Sequence, residues 1–542
     1  MTAEIELKLA IDPVAVAATI RKLARHPALA TVKSGRWRTA KVVSTYLDTP
    51  DWQLSRAGVA LRLRRDGVRW LQTVKGPPLP GAGGALHARP EYEWPVPGPT
   101  LDPARLATTP WRRLLGGAIA DGKLAPRFTT DFERRTLALR FADGTRATLC
   151  VDVGEIRVAA AGRRGDKLPR ARVPIAEIEI ELGEGKAAAD PAALFALAQT
   201  LAADLPLTVA VANKAARGVA LVRGRPDGFD APVRAGTAVI APGATAADAL
   251  RAIALECLQQ IAGNAAGLAA DTHVEWVHQM RIGTRRLRAC LALATRVAPA
   301  GTLAPLVAET RWLAGVLGAA RDLDVFATET LPRFVACSHA APPARPVLAR
   351  LRNRVTARRR LARAAAREAV AGPRFLQLVL GIGAWAAAPE WSPAPGGDAA
   401  AGAKHRDRAA APAATFARRV IARRHRRLVR LAGPGLAGNA EERHALRIAA
   451  KKLRYATEFF VPLFPARHAA AYVGALSGLQ DVLGRANDAA TAMRLATELA
   501  GDDDALAAGV RGWAAAEATG MDVPLAAAWK RLAKAGRFWK RH

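Results

Sequence analysis

Charged and apolar residues alternate strictly at the start of the chain. In the stretch EIELKL, Glu4, Glu6 and Lys8 are separated by single apolar residues. A period of two is typical of a β-strand with one dry face and one polar face. The polar row either belongs to an exposed edge strand or lines an interior that water enters.

Short β-patterned runs recur up to about residue 220. They are STYLDT, VALRLRR, RWLQTVKG, EYEWPV, RATLCVDVG and AEIEIEL. The Gly/Pro clusters KGPPLPGAGG and PVPGPT separate some of them, and helical segments near residues 13–26 and 190–204 interrupt them. The pattern predicts an antiparallel sheet with several polar rows, and closure into a barrel would remove its edges.

The β pattern ends before residue 245, and Ala, Leu and Arg at helical spacing dominate from there to the end of the chain. Residues 222–244 hold turn formers without a lasting period, so we predict a linker. The Ala/Pro/Gly-rich residues 386–413 predict a long flexible loop. The predicted fold class is therefore α+β, with an N-terminal antiparallel β barrel or tunnel with flanking helices over residues 1–221 and an all-α domain over residues 245–540.

An internal repeat divides the helical half. HQMRIGTRRLRA begins at His278 and HALRIAAKKLRY at His444, and LGAARDLDV from Leu317 matches LGRANDAAT from Leu483 at the same offset of 166 residues. Two elements that keep register indicate a duplication. We place the copies at about residues 245–385 and 414–540.

Each copy predicts a helix with a cationic stripe. With about 100° of rotation per residue, Arg281, Arg285 and Arg288 fall on the same side as His278, away from an apolar stripe. The second copy repeats the arrangement with His444, Arg447, Lys451 and Arg454. Like charges one turn apart repel each other, although Asp322 and Asp488 could offset one charge per copy.

The stripe is either a solvated helix face or a groove for a row of phosphates. We favour the groove because the same spacing occurs twice. Neither stripe interleaves aromatic residues on which bases could stack, so a phosphate polymer is expected rather than a specific nucleic acid. Protonation of the two histidines would add charge nearer pH 6.

Composition supports a polyanionic partner. The chain of 542 residues has a formal net charge of +33, and residues 241–542 carry 44 Lys and Arg against 23 Asp and Glu. Four cysteines without close spacing indicate neither a disulfide framework nor a zinc site. The apolar run FLQLVLGIGAWAAA is shorter than the roughly 18 residues of a membrane span, and no signal peptide is evident at the N-terminus. A cytoplasmic protein that does not enter the membrane is expected.

The paired basic helices and the LG…(R/N)D segments resemble the CHAD domain, a duplicated helical module associated with inorganic polyphosphate. The resemblance covers roughly residues 245–540 and implies binding of polyphosphate, with association to polyphosphate granules. Asn487 replaces the arginine seen at Arg321 in the first copy. The implied binding residues are His278, Arg281, Arg285, Arg286, Arg288, Arg321, His444, Arg447, Lys451, Lys452 and Arg454.

Other N-terminal strands carry polar rows like that of EIELKL. These rows include Arg62 with Arg64, Thr73 with Lys75, and the three glutamates of AEIEIEL. Isolated charges are costly in a dry interior, so the rows indicate a wet tunnel or salt bridges across an exposed sheet. In a tunnel, carboxylates could hold a hard divalent cation while Arg and Lys hold phosphates that the cation bridges.

EIELKL is similar to the ExExK signature of the CYTH, or triphosphate tunnel metalloenzyme, family. STYLDTPDWQLSRAGVALRLRR, WLQTVKG, RPEYEW, FERRT, VDVGEIRV, IAEIEIELGEG and NKAARGVAL follow in family order up to about residue 220. The resemblance implies a metal-facing set of Glu4, Glu6, Glu91, Asp152, Glu177, Glu179 and Glu181, and a catalytic, phosphate-binding set of Lys8, Arg62, Arg64, Lys75, Arg134 and Lys214. Arg134 is preferred to Arg135 because it shares a strand face with Phe132 and Thr130, and Asp48 is interpreted as structural.

The resemblance implies a phosphohydrolase that uses Mg²⁺ or Mn²⁺ to hydrolyse inorganic triphosphate. The same fold also serves adenylate cyclases and thiamine triphosphatases, which is one alternative. A non-enzymatic polyphosphate-granule binding protein with a relic tunnel is another. The complete acidic and basic rows favour a working enzyme.

Overall fold

The computed structural model describes residues 2–79, 83–158, 171–183, 191–225, 231–270, 273–299, 301–337, 345–388, 399–500, 504–520 and 522–540. The chain divides into two compact units. The first comprises Met1–Arg234, Leu258–Gln279 and Val370–Glu390, and the second comprises Ala235–Cys257, Met280–Ala369 and Trp391–His542.

An antiparallel sheet of nine strands dominates the first unit. The strands are β1 (Thr2–Ile11), β2 (Arg38–Asp48), β3 (Ala60–Asp66), β4 (Arg69–Lys75), β5 (Leu86–Val96), β6 (Ala125–Arg140), β7 (Arg146–Val158), β8 (Arg172–Leu182) and β9 (Leu207–Val209). Their order is β5-β4-β3-β2-β6-β7-β8-β1-β9, and an additional pairing of β5 with β1 closes the first eight into a barrel. The predicted α+β class with an N-terminal antiparallel barrel is confirmed.

Helices flank the barrel and form the rest of the described chain. They are α1 (Val16–Ala24), α2 (Pro27–Val32), α3 (Gln53–Arg56), α4 (Pro103–Leu106), α5 (Arg112–Ala120), α6 (Ala192–Asp204), α7 (Lys214–Val222), α8 (Ala246–Ala270), α9 (Val274–Ala294), α10 (Ala304–Val325), α11 (Leu331–Cys337), α12 (Arg345–Ala371), α13 (Pro373–Ala387), α14 (Ala399–Ala410), α15 (Ala413–Ala437), α16 (Ala440–Phe460), α17 (Ala466–Ala500), α18 (Asp504–Thr519) and α19 (Asp522–Lys534). Shorter helical turns lie at Pro13–Ala15, Phe326–Thr330, Val461–Leu463 and Phe538–Lys540.

Strand alternation gives the barrel two faces of different chemistry. In β1, Leu7 and Leu9 are fully buried in the apolar layer outside the barrel, whereas Glu6 and Lys8 alternate with them and face the interior cavity. Gly67 and Val68 form the hairpin turn between β3 and β4, and Gly67 has a φ of +61°. A Gly in this conformation fits the tight turn that sets strand register.

Helix α7 packs against the barrel wall through a close contact. A Cβ atom added at Gly218 would lie 2.1 Å from the ring of Phe128 on β6, so only glycine lets the helix approach this closely. The side chain of Asn213 caps the helix by accepting a hydrogen bond from the Ala216 N–H at 2.9 Å. Together the cap and the close contact fix Lys214 in the first turn of α7.

The second unit is helical. An apolar cluster joins residues of α10, α11, α12, α17 and α18, including Phe326, Phe334, Leu351 and Leu495. Asn439 begins α16 with a capping box in which Glu442 is the reciprocal partner. The apolar stripes predicted for the two repeats are buried in the structure, because Met280, Leu287, Leu446 and Leu453 are all fully inaccessible.

Two predicted connections need comment. Residues 386–413 were expected to form a flexible loop, but Ala399–Ala410 is helix α14. Its alanines have the highest helix propensity, which outweighs the loop-like composition of the surrounding stretch. Residues 389–398 lie outside the described residues. In the predicted linker, residues 231–244 contain neither helix nor strand.

Among the described residues, no single helix is both long enough and apolar enough to cross a membrane. The bent pair Leu348–Ala371 and Pro373–Ala387 meets the length and composition criteria only when its two helices are taken together.

Candidate functional site

A cavity of about 230 Å³ lies inside the barrel. Its wall combines carboxylates and cations from six strands with the start of α7. The lining residues are Glu4, Glu6, Lys8, Val42, Tyr46, Ala60, Arg62, Arg64, Lys75, Arg89, Glu91, Glu93, Phe132, Arg134, Glu179, Glu181, Asn213, Lys214 and Ala215. The polar rows of strands far apart in sequence therefore share one interior.

Lys8 is held between two carboxylates of the cavity. Its Nζ donates to Glu179 Oε1 at 2.5 Å and lies 3.0 Å from Glu6 Oε1. Burial alone would lower the pKa of Lys8, but Glu179 and Glu6 raise it well above the ordinary value. Lys8 is therefore an ammonium group over the whole physiological range.

Arg134 binds two carboxylates at once. Its Nε and Nη2 donate to the two oxygens of Asp152 at 2.7 and 2.6 Å, and Nη2 also donates to Glu179 at 2.6 Å. Arg134 and Asp152 are direct neighbours across β6 and β7. Arg135 lies on the other face of the strand, where it pairs with Glu133 and is 43% exposed.

Lys214 lies among three buried carboxylates. Its Nζ is 2.7 Å from Asp152 Oδ2 and 3.0 Å from Glu179 Oε1, and it also donates to Glu177. Oxygen atoms of these three acids lie within 4.8 Å of one another. Burial alone would lower the pKa of Lys214, but the three carboxylates, Asp152 first among them, raise it far above the ordinary value.

A second group of ion pairs lines the part of the wall formed by β3, β4 and β5. Lys75 donates to Glu4 and lies 3.4 Å from Glu91. Arg62 Nη2 is 3.5 Å from Glu91 Oε1. In the same wall, Arg64 donates to Glu93 at 3.1 Å, and Thr73 donates to Glu93 at 2.9 Å. These cations also have carboxylate partners, which a phosphate oxygen could replace.

Two carboxyl groups of the cavity are not fully compensated by cations. Burial and then the neighbouring Glu4 raise the pKa of Glu181 to about 7. Burial, opposed by Lys8, raises the pKa of Glu6, and Glu179 and Glu4 add to the rise. Converging carboxylate oxygens are the ligands that hard divalent cations prefer, and such a cation would relieve this repulsion. The residues present therefore fit a divalent metal.

The structure places the sequence-predicted residues in different environments. The predicted tunnel residues line the cavity, except for Asp152 and Glu177, which contact lining residues instead. Both pair with Lys214, and Asp152 also pairs with Arg134. Asp48 is buried outside the cavity lining and accepts hydrogen bonds from the Leu54 N–H at 3.0 Å and from Ser55 Oγ at 2.6 Å, so it holds the start of α3.

Four polar lining residues were not among the predictions: Tyr46, Arg89, Glu93 and Asn213. Arg89, Glu91 and Glu93 follow each other at a spacing of two on β5, which is the same signal as in EIELKL. Arg89 is the direct neighbour of Glu4 across β5 and β1. Extending the strand past Pro90 would have revealed Arg89.

In the second unit, cations on α9 and α16 repel one another electrostatically. Burial and then Arg285 and Arg447 lower the pKa of Lys451 to about 7, with further contributions from Arg281 and Arg288. Burial and then Arg285 also lower the pKa of Arg447. The two repeats therefore bring their cations into one electrostatic group. Asp322, 3.4 Å from Arg281, offsets part of this charge, and Asp488 opposes the lowering of the Arg447 pKa.

The other predicted polyphosphate-binding residues differ in their partners and exposure. Arg286 is buried, donates to the Gly236 carbonyl at 2.9 Å and packs over the ring of Phe459. Arg454 donates to Glu458 at 2.6 Å and to Gln480 at 2.9 Å. Arg321 lies 3.4 Å from Glu329. His444 and Lys452 are exposed, and His278 is half-buried one turn before Arg281.

Two family models match the chain. The model of the CYTH domain matches residues 2–219, which contain the barrel and α7, and that of the CHAD domain matches residues 252–497, which contain both basic helices. The chain is a CYTH–CHAD protein. Members of the CYTH family are triphosphatases or cyclases that work in a tunnel with divalent metals. The domain that contains this cavity therefore belongs to a family of tunnel enzymes.

The solved structures similar to this CYTH–CHAD chain each cover part of it. The CHAD domain from the plant Ricinus communis is 32% identical over 56% of this chain and 98% of that chain, with a TM-score of 0.48. PptA from Streptomyces chartreusis is 19% identical over 55% of this chain and 99% of its own, with a TM-score of 0.38. A protein from Hippeastrum, named as an adenylyl cyclase with a dominant triphosphatase activity, is 19% identical over 40% of this chain and 95% of its own, with a TM-score of 0.28.

Proposed function

We propose that the CYTH barrel hydrolyses inorganic triphosphate with Mg²⁺ or Mn²⁺. The observation that carries the proposal is a narrow interior in which cations and carboxylates alternate around the wall. The cavity of about 230 Å³ is smaller than the roughly 300–1,000 Å³ of pockets for drug-sized ligands. It suits a short inorganic chain better than a compound that carries a base or a thiazole ring.

The cations of the wall hold the phosphates in this proposal. Lys8, Lys75 and Arg134 exchange a carboxylate oxygen for a phosphate oxygen, and their charge offsets the charge that develops in the transition state. The bound metal would neutralise the phosphate oxygens and would be held by Glu4, Glu6 and Glu181, together with the acids near Lys214. Water attacks the terminal phosphorus, the bridging P–O bond breaks, and phosphate and pyrophosphate leave.

We further propose that the CHAD domain binds inorganic polyphosphate through the cations of α9 and α16. Arg281, Arg285, Arg447 and Lys451 form the centre of this surface. Their mutual repulsion, which lowers the pKa of Lys451 to about 7, supports the proposal because a polyanion would remove it. The domain would bring the barrel close to polyphosphate granules in the cytoplasm.

Product identification tests the enzyme. The pure protein is incubated with triphosphate, ATP or long-chain polyphosphate, each with Mg²⁺ or Mn²⁺, and the products are separated by ion chromatography. We expect phosphate and pyrophosphate from triphosphate. Cyclic AMP from ATP would indicate a cyclase instead, and no turnover of any substrate would leave only a polyphosphate-binding protein.

Matched variants locate the activity. Glu4→Gln and Glu6→Gln should each remove metal-dependent hydrolysis, because a carboxamide is a poorer ligand for a hard cation. Glu133→Gln is the control, since Glu133 is exposed on the outer face of β6 and pairs with Arg135. Wild-type turnover in both cavity variants would contradict the assignment of the site to the barrel.

A further inference from the structure

A second cavity lies in the helical unit, away from the basic stripes of α9 and α16. Its volume is about 390 Å³, which falls within the usual range for small-ligand sites. The end of α9, the end of α14 and the first turns of α15 form its walls, and it is open to solvent on the side where its four arginines are exposed. Two chemistries meet in its wall: Val297, Phe416 and Val420 supply apolar surface, and arginines surround it.

Within the described part of the chain, the arginines of this cavity have no acidic partner. Arg296, Arg408, Arg419 and Arg423 line it, and none of the described residues that line it is a carboxylate. No ion pair joins any of the four to another described residue. Burial and then Arg423 lower the pKa of Arg296, which means that the two guanidinium groups repel each other. Such a cluster is stabilised by an anion.

The cavity also contains an unpaired polar atom. Nδ1 of His405 is buried and has no hydrogen-bond partner among the described residues. A buried polar atom without a partner costs free energy, and a bound ligand can supply the partner. This atom lies in the wall that also holds Phe416.

We propose that this cavity binds an organic phosphate monoester that carries a flat ring. Four guanidinium groups match a phosphate, which carries about −1.5 to −2 charge near neutral pH, better than a monocarboxylate. Arginine forks bind phosphate oxygens in pairs. The ring packs against Phe416 and Val420 and accepts or donates a hydrogen bond at His405. This site is separate from the polyphosphate stripe and from the barrel, and it recognises charge and ring together.

Calorimetric titration of the full chain tests the proposal, with adenosine monophosphate as the probe. The nucleotide should bind with one-to-one stoichiometry and at least about tenfold more tightly than adenosine, which lacks the charge, or inorganic phosphate, which lacks the ring. Equal affinity for phosphate and nucleotide would overturn the proposal, because the cavity would then be a generic cationic surface.

Variants show where the probe binds. The double variant Arg296→Gln/Arg423→Gln should weaken nucleotide binding by about tenfold or more, because it removes two guanidinium groups that would donate charge-assisted hydrogen bonds to the phosphate. Phe416→Leu should weaken it without changing the charge. The matched control is Arg427→Gln/Arg430→Gln, which removes two exposed charges from the same helix outside the cavity.

Two readouts separate this site from the others. Arg281→Gln/Arg285→Gln in the basic stripe should leave nucleotide binding unchanged, and Arg296→Gln/Arg423→Gln should leave triphosphate hydrolysis unchanged. Unaltered nucleotide affinity in both Arg296→Gln/Arg423→Gln and Phe416→Leu, with melting temperatures like those of the wild type, would rule the cavity out as the binding site.

Discussion

Lys214 Nζ lies 2.7 Å from Asp152 Oδ2, and both side chains are buried. Bulk water therefore cannot replace either partner. The lysine thereby occupies the space between carboxylates that could otherwise hold a cation. An ammonium group and a divalent metal are alternative ways of compensating the same buried charge.

Replacement of Lys214 by Met tests whether the ammonium group and a divalent metal compensate the same buried carboxylates. The variant leaves Asp152, Glu177 and Glu179 with less compensation, so we expect a loss of about 3–5 kcal/mol in the free energy of unfolding, as for other broken buried pairs. Mn²⁺ should restore more stability in the variant than it adds to the wild type. Thermal melts in EDTA and in Mn²⁺ measure both effects.

The control for that prediction is Lys41→Met. Lys41 is 65% exposed and lies 2.5 Å from Asp131, which also pairs with Arg157 at 3.0 Å. Loss of this exposed lysine leaves the carboxylate compensated and should cost at most about 1 kcal/mol. Equal destabilisation by the two substitutions would mean that the position of Lys214 among the acids has no special importance.

Metal affinity should depend on pH through Glu181. Its pKa of about 7 means that the carboxyl is largely protonated at pH 6, and a metal must then displace the proton. Titrations with Mn²⁺ should therefore show an apparent dissociation constant that rises as the pH falls from 8 to 6. In Glu181→Gln the dependence should be weaker, and a pH profile identical to that of the wild type would exclude Glu181 as the responsible group.

Binding of polyphosphate should take up a proton at Lys451. Burial and the surrounding arginines lower the pKa of this lysine to about 7, so it is mostly neutral at pH 8.5. A polyanion would raise the pKa again. We expect uptake approaching one proton at pH 8.5 and weaker binding as the pH rises from 7 to 9.

Calorimetry in buffers of different ionisation enthalpy measures this uptake. Lys451→Gln should abolish it, whereas His444→Gln should retain it, because His444 is exposed at the end of the stripe. If His444→Gln abolished the proton uptake and Lys451→Gln did not, the histidines would be the groups that take up the proton. That outcome would agree with the expectation from the sequence.

Removal of the central arginines should separate binding from stability. Arg285→Gln/Arg447→Gln should weaken polyphosphate binding and reduce the slope of log affinity against log salt by about two, roughly one for each phosphate contact. The melting temperature should stay the same or rise, because each substitution removes a repulsive charge. Arg430→Gln, on an exposed part of α15, should change neither, and a marked loss of stability in the double variant would indicate a structural role.

Local patterns were sufficient to predict the barrel and its polar interior. Alternation in EIELKL and AEIEIEL determines which side chains face inward, because period two is a property of a single strand. The partners across the barrel follow from long-range register. Lys8 and Glu179 are 171 residues apart in the chain, and no local pattern specifies their contact.

In the helical half, too, local patterns predicted which residues share a face but not their long-range contacts. The helical periodicity predicted which side of α9 is basic. Arg286, which the CHAD resemblance added to the binding residues, lies about 100° further round the helix than Arg285. Its side chain is buried against Phe459. The near-neutral pKa of Lys451 results from the proximity of α9 and α16, which belong to different repeats.

The cations on α9 and α16 come from two copies of one motif, and this affects whether the surface can distinguish the direction of a bound chain. A peptide or a nucleic acid strand has different ends, so reversal of its direction changes every contact. A linear polyphosphate is identical when read from either end. Under the proposed function, cations from corresponding positions of α9 and α16 would offer such a chain two similar orientations, so that an encounter in either direction would be productive.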